Sequence, residues 1–251
     1  MAEQLQLKSV AVNVVADNAV KPLLSGIDLT LMPGDYVAVL GTNGAGKSTM
    51  FNAITGDIEV AGGTITLAGQ NITHEKPEKR ARLIARVFQD PKMGTAPRMS
   101  VAENLLLASR RGQRLTLASR GLKARMAEFK ALAAQTGNGL ERALDRPTES
   151  LSGGQRQALS LLMATLRRPE LLLLDEHTAA LDPKTSASIM SVTDKLVTQE
   201  HLTCMMITHH LEDALKYGNR LIVLSQGRIV KDFNAEQKAA LTRADLLDYF
   251  G

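Results

Sequence analysis

An apolar stretch ending at Leu40 runs straight into Gly41-Thr42-Asn43-Gly44-Ala45-Gly46-Lys47-Ser48, and a helical stretch over residues 48–54 follows. A glycine, four residues, a second glycine, a lysine and a hydroxyl in that order form a phosphate-binding loop. Glycines let successive backbone N–H groups turn inward around phosphate oxygens, and the helix opening behind them adds partial positive charge at its N-terminus. Lys47 then reaches the terminal phosphates, and Ser48 supplies a magnesium ligand with Thr49 beside it. Average composition yields such a pattern in on the order of one per cent of chains this long, and its place between strand and helix makes chance a poorer account still. The chain must therefore build strand, loop and helix in succession.

The remaining pattern agrees. Alternation at Leu5, Leu7 and Val10, then at Ile27, Leu29 and Leu31, with a turn at Pro33-Gly34-Asp35, predicts a hairpin feeding a buried strand through Val37, Val39 and Leu40. Gly56 can end the helix after the loop in a left-handed cap. A short strand over 64–67 follows Gly62-Gly63, and residues 77–85, 101–108 and 120–134 read as helices, with Pro91 and Pro97 breaking the chain between the first two. After Pro147 a helix over 152–166, stopped by Pro169, precedes a fully apolar strand over 171–174. Helix and strand then alternate through 189–197, 203–207, 211–217 and 221–224. Thr242 is placed to cap a final helix with Leu246, Leu247 and Phe250 on one face. Short, continuously hydrophobic strands separated by helices predict an α/β protein whose parallel sheet is covered on both faces.

Three other classes are disfavoured. With 44% hydrophobic and 22% charged residues the chain can bury a substantial core, which excludes disorder. No apolar run approaches the roughly 18 residues of a spanning helix, and the N-terminal MAEQLQLK lacks the pattern of an export signal. The single cysteine, Cys204, lies among Thr203, Met205, Met206 and Ile207 and reads as a buried thiol in a strand, fitting a reducing compartment.

Two further motifs carry chemistry. The strand over 171–174 delivers Asp175 and Glu176 at its C-terminal end, where open parallel sheets place their ligand crevice. Neighbouring strand residues diverge, so Asp175 is suited to hold magnesium beside Ser48 while Glu176 polarises the water that attacks a γ-phosphate. Leu151-Ser152-Gly153-Gly154-Gln155 opens a helix with a hydroxyl and bare N–H groups that can meet a second anion. A generic cap explains the serine but not two glycines.

With LSGGQ following GTNGAGKS and preceding LLLLDE, the chain resembles the ATP-binding cassette (ABC) ATPases along essentially all 251 residues. The resemblance implies a P-loop NTPase with a mixed, largely parallel core sheet, an N-terminal antiparallel β subdomain and an α-helical subdomain at roughly 92–165, within a single ABC ATPase domain over 1–251. It also implies ATP and Mg2+ as ligands, with Gly41 to Thr49 and Gln89 at the nucleotide and Ser48, Gln89 and Asp175 at the metal. Glu176, His209 and Lys47 become the catalytic set, and Asp182 in AALD the D-loop aspartate. His209, rather than His210, follows Ile207-Thr208 as the switch histidine. In this family two cassettes sandwich two ATP molecules head to tail, so Ser152, Gly153, Gly154 and Gln155 would act on nucleotide held by a second copy.

The departures are informative. Many cassettes stack adenine on an aromatic residue ahead of the first hairpin, yet Asn13-Val14-Val15-Ala16 contains none, which forgoes about 1–3 kcal/mol of stacking. Most carry proline where His177 stands. DEHTAALD, VFQDPKMGTAP and LSGGQRQALSLLMATL together resemble bacterial importer ATPases that work with a branched-chain-type permease and an extracytoplasmic binding protein, often in tryptophan or tyrosine uptake. The resemblance thus implies a peripheral subunit on the cytoplasmic face of the inner membrane, with permease subunits as direct partners and no nucleic acid.

Formal charge is +4 but uneven, with thirteen Lys/Arg against three acids between Lys76 and Arg125. Such a block can face an anionic membrane, an acidic partner, nucleic acid or only solvent. The competing functions are therefore an ABC exporter ATPase, a soluble ABC ATPase acting on nucleic acid or ribosomes, and a nucleotide switch without turnover. The block holds one aromatic, Phe88, too few for base stacking, and Glu176 opposes the switch.

Overall fold

Leu5–Ala16 (β1) and Ala19–Leu31 (β2) pair antiparallel from Leu5↔Leu31 to Ala16↔Ala19, and period two puts Leu5, Leu7, Ile27, Leu29 and Leu31 on the buried face. The computed structural model describes residues 3–16, 19–113 and 121–249. Tyr36–Gly41 (β3) follows the predicted turn and is buried along its whole length, which is why it reads as a continuous apolar run. Lys47–Thr55 (α1) comes next and ends at Gly56, whose φ of 84° is the left-handed cap expected there. Gly62–Leu67 (β4) and Gln70–Asn71 (β5) complete a four-stranded antiparallel sheet in the order β2-β1-β4-β5.

The helix expected over 77–85 lasts one turn. Pro77–Arg80 (α2) is followed by Ile84–Val87 (β6), which pairs parallel with Leu171–Asp175 (β7) and buries Ile84, Ala85 and Val87. Pairing with a fully buried neighbour overrides the local helical pattern, because a four-residue strand is stabilised by its partners rather than by its own propensity. Val101–Ala108 (α3), Leu122–Ala134 (α4) and Gly153–Thr165 (α5) are the helices of the middle region; residue 120, where the sequence starts α4, lies outside the described residues. Val101, Leu105, Phe129, Leu140, Leu159 and Leu162 form an apolar cluster of their own there, distinct from the one between the sheets.

The last third alternates as expected through Pro183–Gln199 (α6), Cys204–Ile207 (β8), Leu211–Lys216 (α7) and Arg220–Ser225 (β9). Arg228–Phe233 (β10) and Ala235–Ala239 (α8) were not legible, because β10 is mostly exposed and carries no apolar run. Arg243–Leu247 (α9) is capped by Thr242, but only Leu246 is buried; Leu247 is 50% exposed, since adjacent helix residues point about 100° apart. Phe250 lies outside the described residues.

The main sheet has six strands in the order β10-β9-β3-β8-β7-β6, parallel except for the β9–β10 edge pair. Cys204 is buried in β8, and burial pushes its thiol well up. Among the described residues no helix is long and apolar enough to cross a membrane.

Candidate functional site

The parallel register brings four strand ends to one edge. Val39 pairs with Ile207, Asp175 with Ile207 and Val87 with Leu174. The phosphate loop after β3, His209 after β8, the two carboxylates at the end of β7 and Gln89 after β6 therefore emerge side by side at the carboxyl edge, where such sheets bind ligands.

Gly46 precedes α1 at φ 104°, and a Cβ there would lie 2.9 Å from Leu24 Cδ2, so only glycine fits between the loop and β2. Among the described residues no side chain caps α1, which leaves its first N–H groups to an anion. Lys47 is buried, and its Nζ donates to the Gly41 carbonyl at 2.7 Å and the Thr42 carbonyl at 3.0 Å. Burial lowers its pKa, while Glu176 and Asp175 act to raise it. A lysine folded back on its own loop beside two carboxylates is poised to trade carbonyls for phosphate oxygens. Ser48 is exposed on the first turn of α1.

The carboxylates part company as their adjacency predicts. Asp175 Oδ2 takes Arg86 Nη2 at 2.5 Å. Glu176 leaves the strand at φ 47° and meets His209 Nε2 at 2.5 Å through Oε1, with its side chain 13% exposed and the imidazole 41%. The histidine that touches Glu176 is thus His209, whereas His210 is the N-terminal flank of α7. Gln89 is exposed in the bend after β6.

Ser152 caps α5 reciprocally with Gln155: its Oγ accepts the Gln155 N–H at 3.2 Å, and Gln155 Oε1 accepts the Ser152 N–H at 3.3 Å. The serine keeps its own O–H to donate. The adjacent glycines have a second reason to be there, since a Cβ on Gly153 would touch Leu181 and one on Gly154 would lie 2.4 Å from Thr185 Cγ2. Asp182 caps α6 by accepting the Thr185 N–H at 3.1 Å, and its bond to the Thr185 side chain lowers its pKa most. Among the described residues no hydrogen bond joins 151–155 to 41–49.

Sequence reasoning assigns no role to His177 or Arg86. His177 is fully buried, its Nε2 3.0 Å from Thr193 Oγ1, which in turn donates to the Ile189 carbonyl at 2.8 Å. Burial lowers its pKa to about 4, so the ring is neutral. The basic block is also partly turned inward: Arg80 is buried and donates to the carbonyls of Ala53, Ile54, Thr73 and Glu75, and Arg111 donates to the Ala164 carbonyl. Phe88 stacks on Arg86, with the guanidinium carbon 4.9 Å from its ring centre.

Ser48, Gln89 and Asp175 offer only oxygen donors, one of them a carboxylate, and among the described residues no three His, Cys, Asp or Glu cluster into a cage. That donor set fits Mg2+ held jointly with phosphate and water rather than a resident transition metal.

A sequence model described as ABC transporter matches residues 24–179. The tyrosine transport ATP-binding protein of Clostridioides difficile (strain R20291) is 43% identical over 228 residues, spanning 91% of this chain and 90% of that protein. The thiamine import ATP-binding protein ThiQ of Yersinia pestis is 35% identical over 205 residues, 82% of each. Among solved structures, the dimeric ATP-binding cassette MJ0796 in a post-hydrolysis state with ADP and Pi superposes with a TM-score of 0.79 at 25% identity over 92% of this chain and 99% of that one. The ADP conformation of the cassette MJ1267 shares the fold, with a TM-score of 0.79 at 23% identity over 100% and 99%.

Proposed function

The chain belongs to the ABC transporter family as an ATP-hydrolysing, nucleotide-binding subunit, and from that premise we propose that it powers a bacterial importer for amino-acid-type solutes. The Glu176–His209 contact beside Lys47 at the sheet edge is the observation that carries the catalytic part. In this reading Gly41 to Thr49 wrap the phosphates, Lys47 takes the terminal ones, and Glu176 orients the attacking water and accepts its proton. His209 holds Glu176 and contacts the γ-phosphate. Ser48, Asp175 and Gln89 would hold Mg2+, which supplies charge neutralisation of the phosphates when bound.

The likeness to the dimeric cassette MJ0796 supports a pair in which Ser152, Gly153, Gly154 and Gln155 act on nucleotide held by a second copy, with Asp182 at that interface. ATP closes the pair and hydrolysis opens it. The helical region 92–165, with its own apolar cluster, carries the change to permease subunits at the cytoplasmic face of the membrane, and an extracytoplasmic binding protein supplies the solute. The 43% identity to a tyrosine transport ATP-binding protein supports an aromatic amino acid as cargo. Arg80, Arg86 and Arg111 spend their donors internally, which weakens the case for a nucleic-acid surface.

Co-expression with a candidate permease, followed by reconstitution with a candidate binding protein, tests the proposal. ATP-dependent accumulation of tyrosine or tryptophan, lost with Glu176→Gln, is expected; co-purification with RNA and no permease would overturn it.

A further inference from the structure

Arg86 is the only described arginine whose guanidinium touches the end of β7, and it joins three of the segments that build the nucleotide site. Its Nη2 binds Asp175 Oδ2 at 2.5 Å, and its Nη1 donates to Asn52 Oδ1 of α1 at 2.7 Å and approaches Asp57 Oδ2 at 3.4 Å. The guanidinium lies against Phe88, 4.9 Å from the ring centre, and Phe51, at 6.0 Å. The side chain is 11% exposed, and its Nε is buried with no partner among the described residues.

We propose that Arg86 is a positioning residue that fixes which oxygen of Asp175 faces the metal and ties that carboxylate to the root of the Gln89 loop. The inference rests on the reading of Asp175 as the metal-binding carboxylate. A carboxylate at a strand end can swing about its Cβ–Cγ bond, and a metal ligand must be held to within about 0.5 Å. Arg86 removes that freedom by occupying Oδ2, which leaves Oδ1 to turn outward. The fork does what an ammonium cannot: one nitrogen grips Asp175 while another is anchored on Asn52, so the grip has a fixed direction relative to the helix that carries Ser48. Phe88 precedes Gln89 directly and stacks on the same guanidinium, so the two outer metal ligands share one anchor. A plain structural ion pair would need neither the Asn52 bond nor the stacking.

The test measures Mn2+ binding to the full chain by electron paramagnetic resonance, with a non-hydrolysable ATP analogue present. Arg86→Met is expected to weaken Mn2+ about tenfold or more, the usual effect of removing a group that orients a metal ligand. Binding of the analogue in EDTA should change by less than about threefold, since the phosphate loop is untouched. Arg86→Lys should not restore Mn2+ affinity, and in an Asp175→Ala background Arg86→Met should add nothing. If Arg86→Met is too unstable to purify, Asn52→Ala frees one arm of the fork and should show a smaller loss in the same direction. Unchanged Mn2+ affinity in Arg86→Met, or in Asn52→Ala where that variant stands in, overturns the proposal, as does an equal loss with and without Asp175. Intact Mn2+ affinity in Asp175→Ala would instead bring down the metal assignment together with it.

Discussion

Gly154→Ala asks whether the signature helix is held against α6 by the absence of a single methyl. A Cβ on Gly154 would stand 2.4 Å from Thr185 Cγ2, whereas carbon atoms pack at about 3.5–4.0 Å. Thr185 is anchored beside the cap: its N–H donates to Asp182 Oδ1 at 3.1 Å, and the interaction of its side chain with the same carboxylate is the main reason for the lowered Asp182 pKa. Rotating the methyl out disturbs that solvent-exposed side-chain contact. Sliding α5 off α6 instead is an overpacking response, which costs about 1–3 kcal/mol. Net of the roughly 0.5–1 kcal/mol that alanine gains over glycine in a helix, sliding predicts a destabilisation of about 1–2 kcal/mol, or a Tm lower by roughly 2–8 °C for a chain of this size. Thr185→Ser removes the offending carbon and keeps the hydroxyl for Asp182, so the double variant should recover most of the loss. Thermal unfolding of the wild type, both single variants and the double variant, without nucleotide, reads this directly. A Gly154→Ala protein that melts with the wild type, or one equally destabilised in the Thr185→Ser background, would show that the contact does not exclude a side chain.

Glu176→Gln keeps the shape beside His209 but loses the base, so turnover should fall at least about a hundredfold while ATP binding persists; near-normal turnover would remove Glu176 from catalysis. In that background ATP should drive a dimer visible by size exclusion, and Ser152→Arg should abolish the dimer but spare nucleotide binding by the monomer; a dimer that survives the arginine would refute the sandwich. His177 has a pKa of about 4, below the ordinary imidazole value, so the unfolded chain binds the extra proton. Its stabilisation is therefore complete above about pH 6.5 and lost as pH falls toward 4, by up to about 3 kcal/mol. His177→Leu, which leaves Thr193 bonded to Ile189, should flatten the fall in Tm between pH 7 and 5; an unchanged slope would exclude the ring. Val15 and Val20 pair at the hairpin tip, 73% and 67% exposed, and no described aromatic lies on β1 or β2. Val15→Tyr should accordingly supply a stacking partner and tighten ATP about fivefold or more, base stacking being worth about 1–3 kcal/mol; an unchanged affinity would locate base recognition elsewhere.

What could be read in advance and what could not differ for a physical reason. β3, β7 and β8 are covered on both faces and so appear as uninterrupted apolar runs, whereas β6 is four residues long and β10 is an exposed edge, and neither leaves a periodic trace. The phosphate loop, Asp175 and Glu176 can be read from the sequence because they follow apolar runs at strand ends, whereas His209 is singled out only through the family resemblance; the structure places His209 against Glu176. Arg86 and His177 face protein instead, and their partners lie far away along the chain: Asn52 and Asp175 are 34 and 89 positions from Arg86, and Thr193 is 16 from His177. No local pattern encodes such a pairing. The same distinction revises the charge argument. Arg80, Arg86 and Arg111 count toward a basic stretch in the sequence, yet their guanidinium groups are bound to backbone carbonyls and to Asp175, so the outward charge of that region is smaller than its composition suggests. A cation that has already met its anion inside the fold contributes to geometry at the site, not to attraction at the surface. For this chain, that withdraws three of the thirteen basic residues between Lys76 and Arg125 from the outward charge, and places one of them, Arg86, on the Asp175 carboxylate.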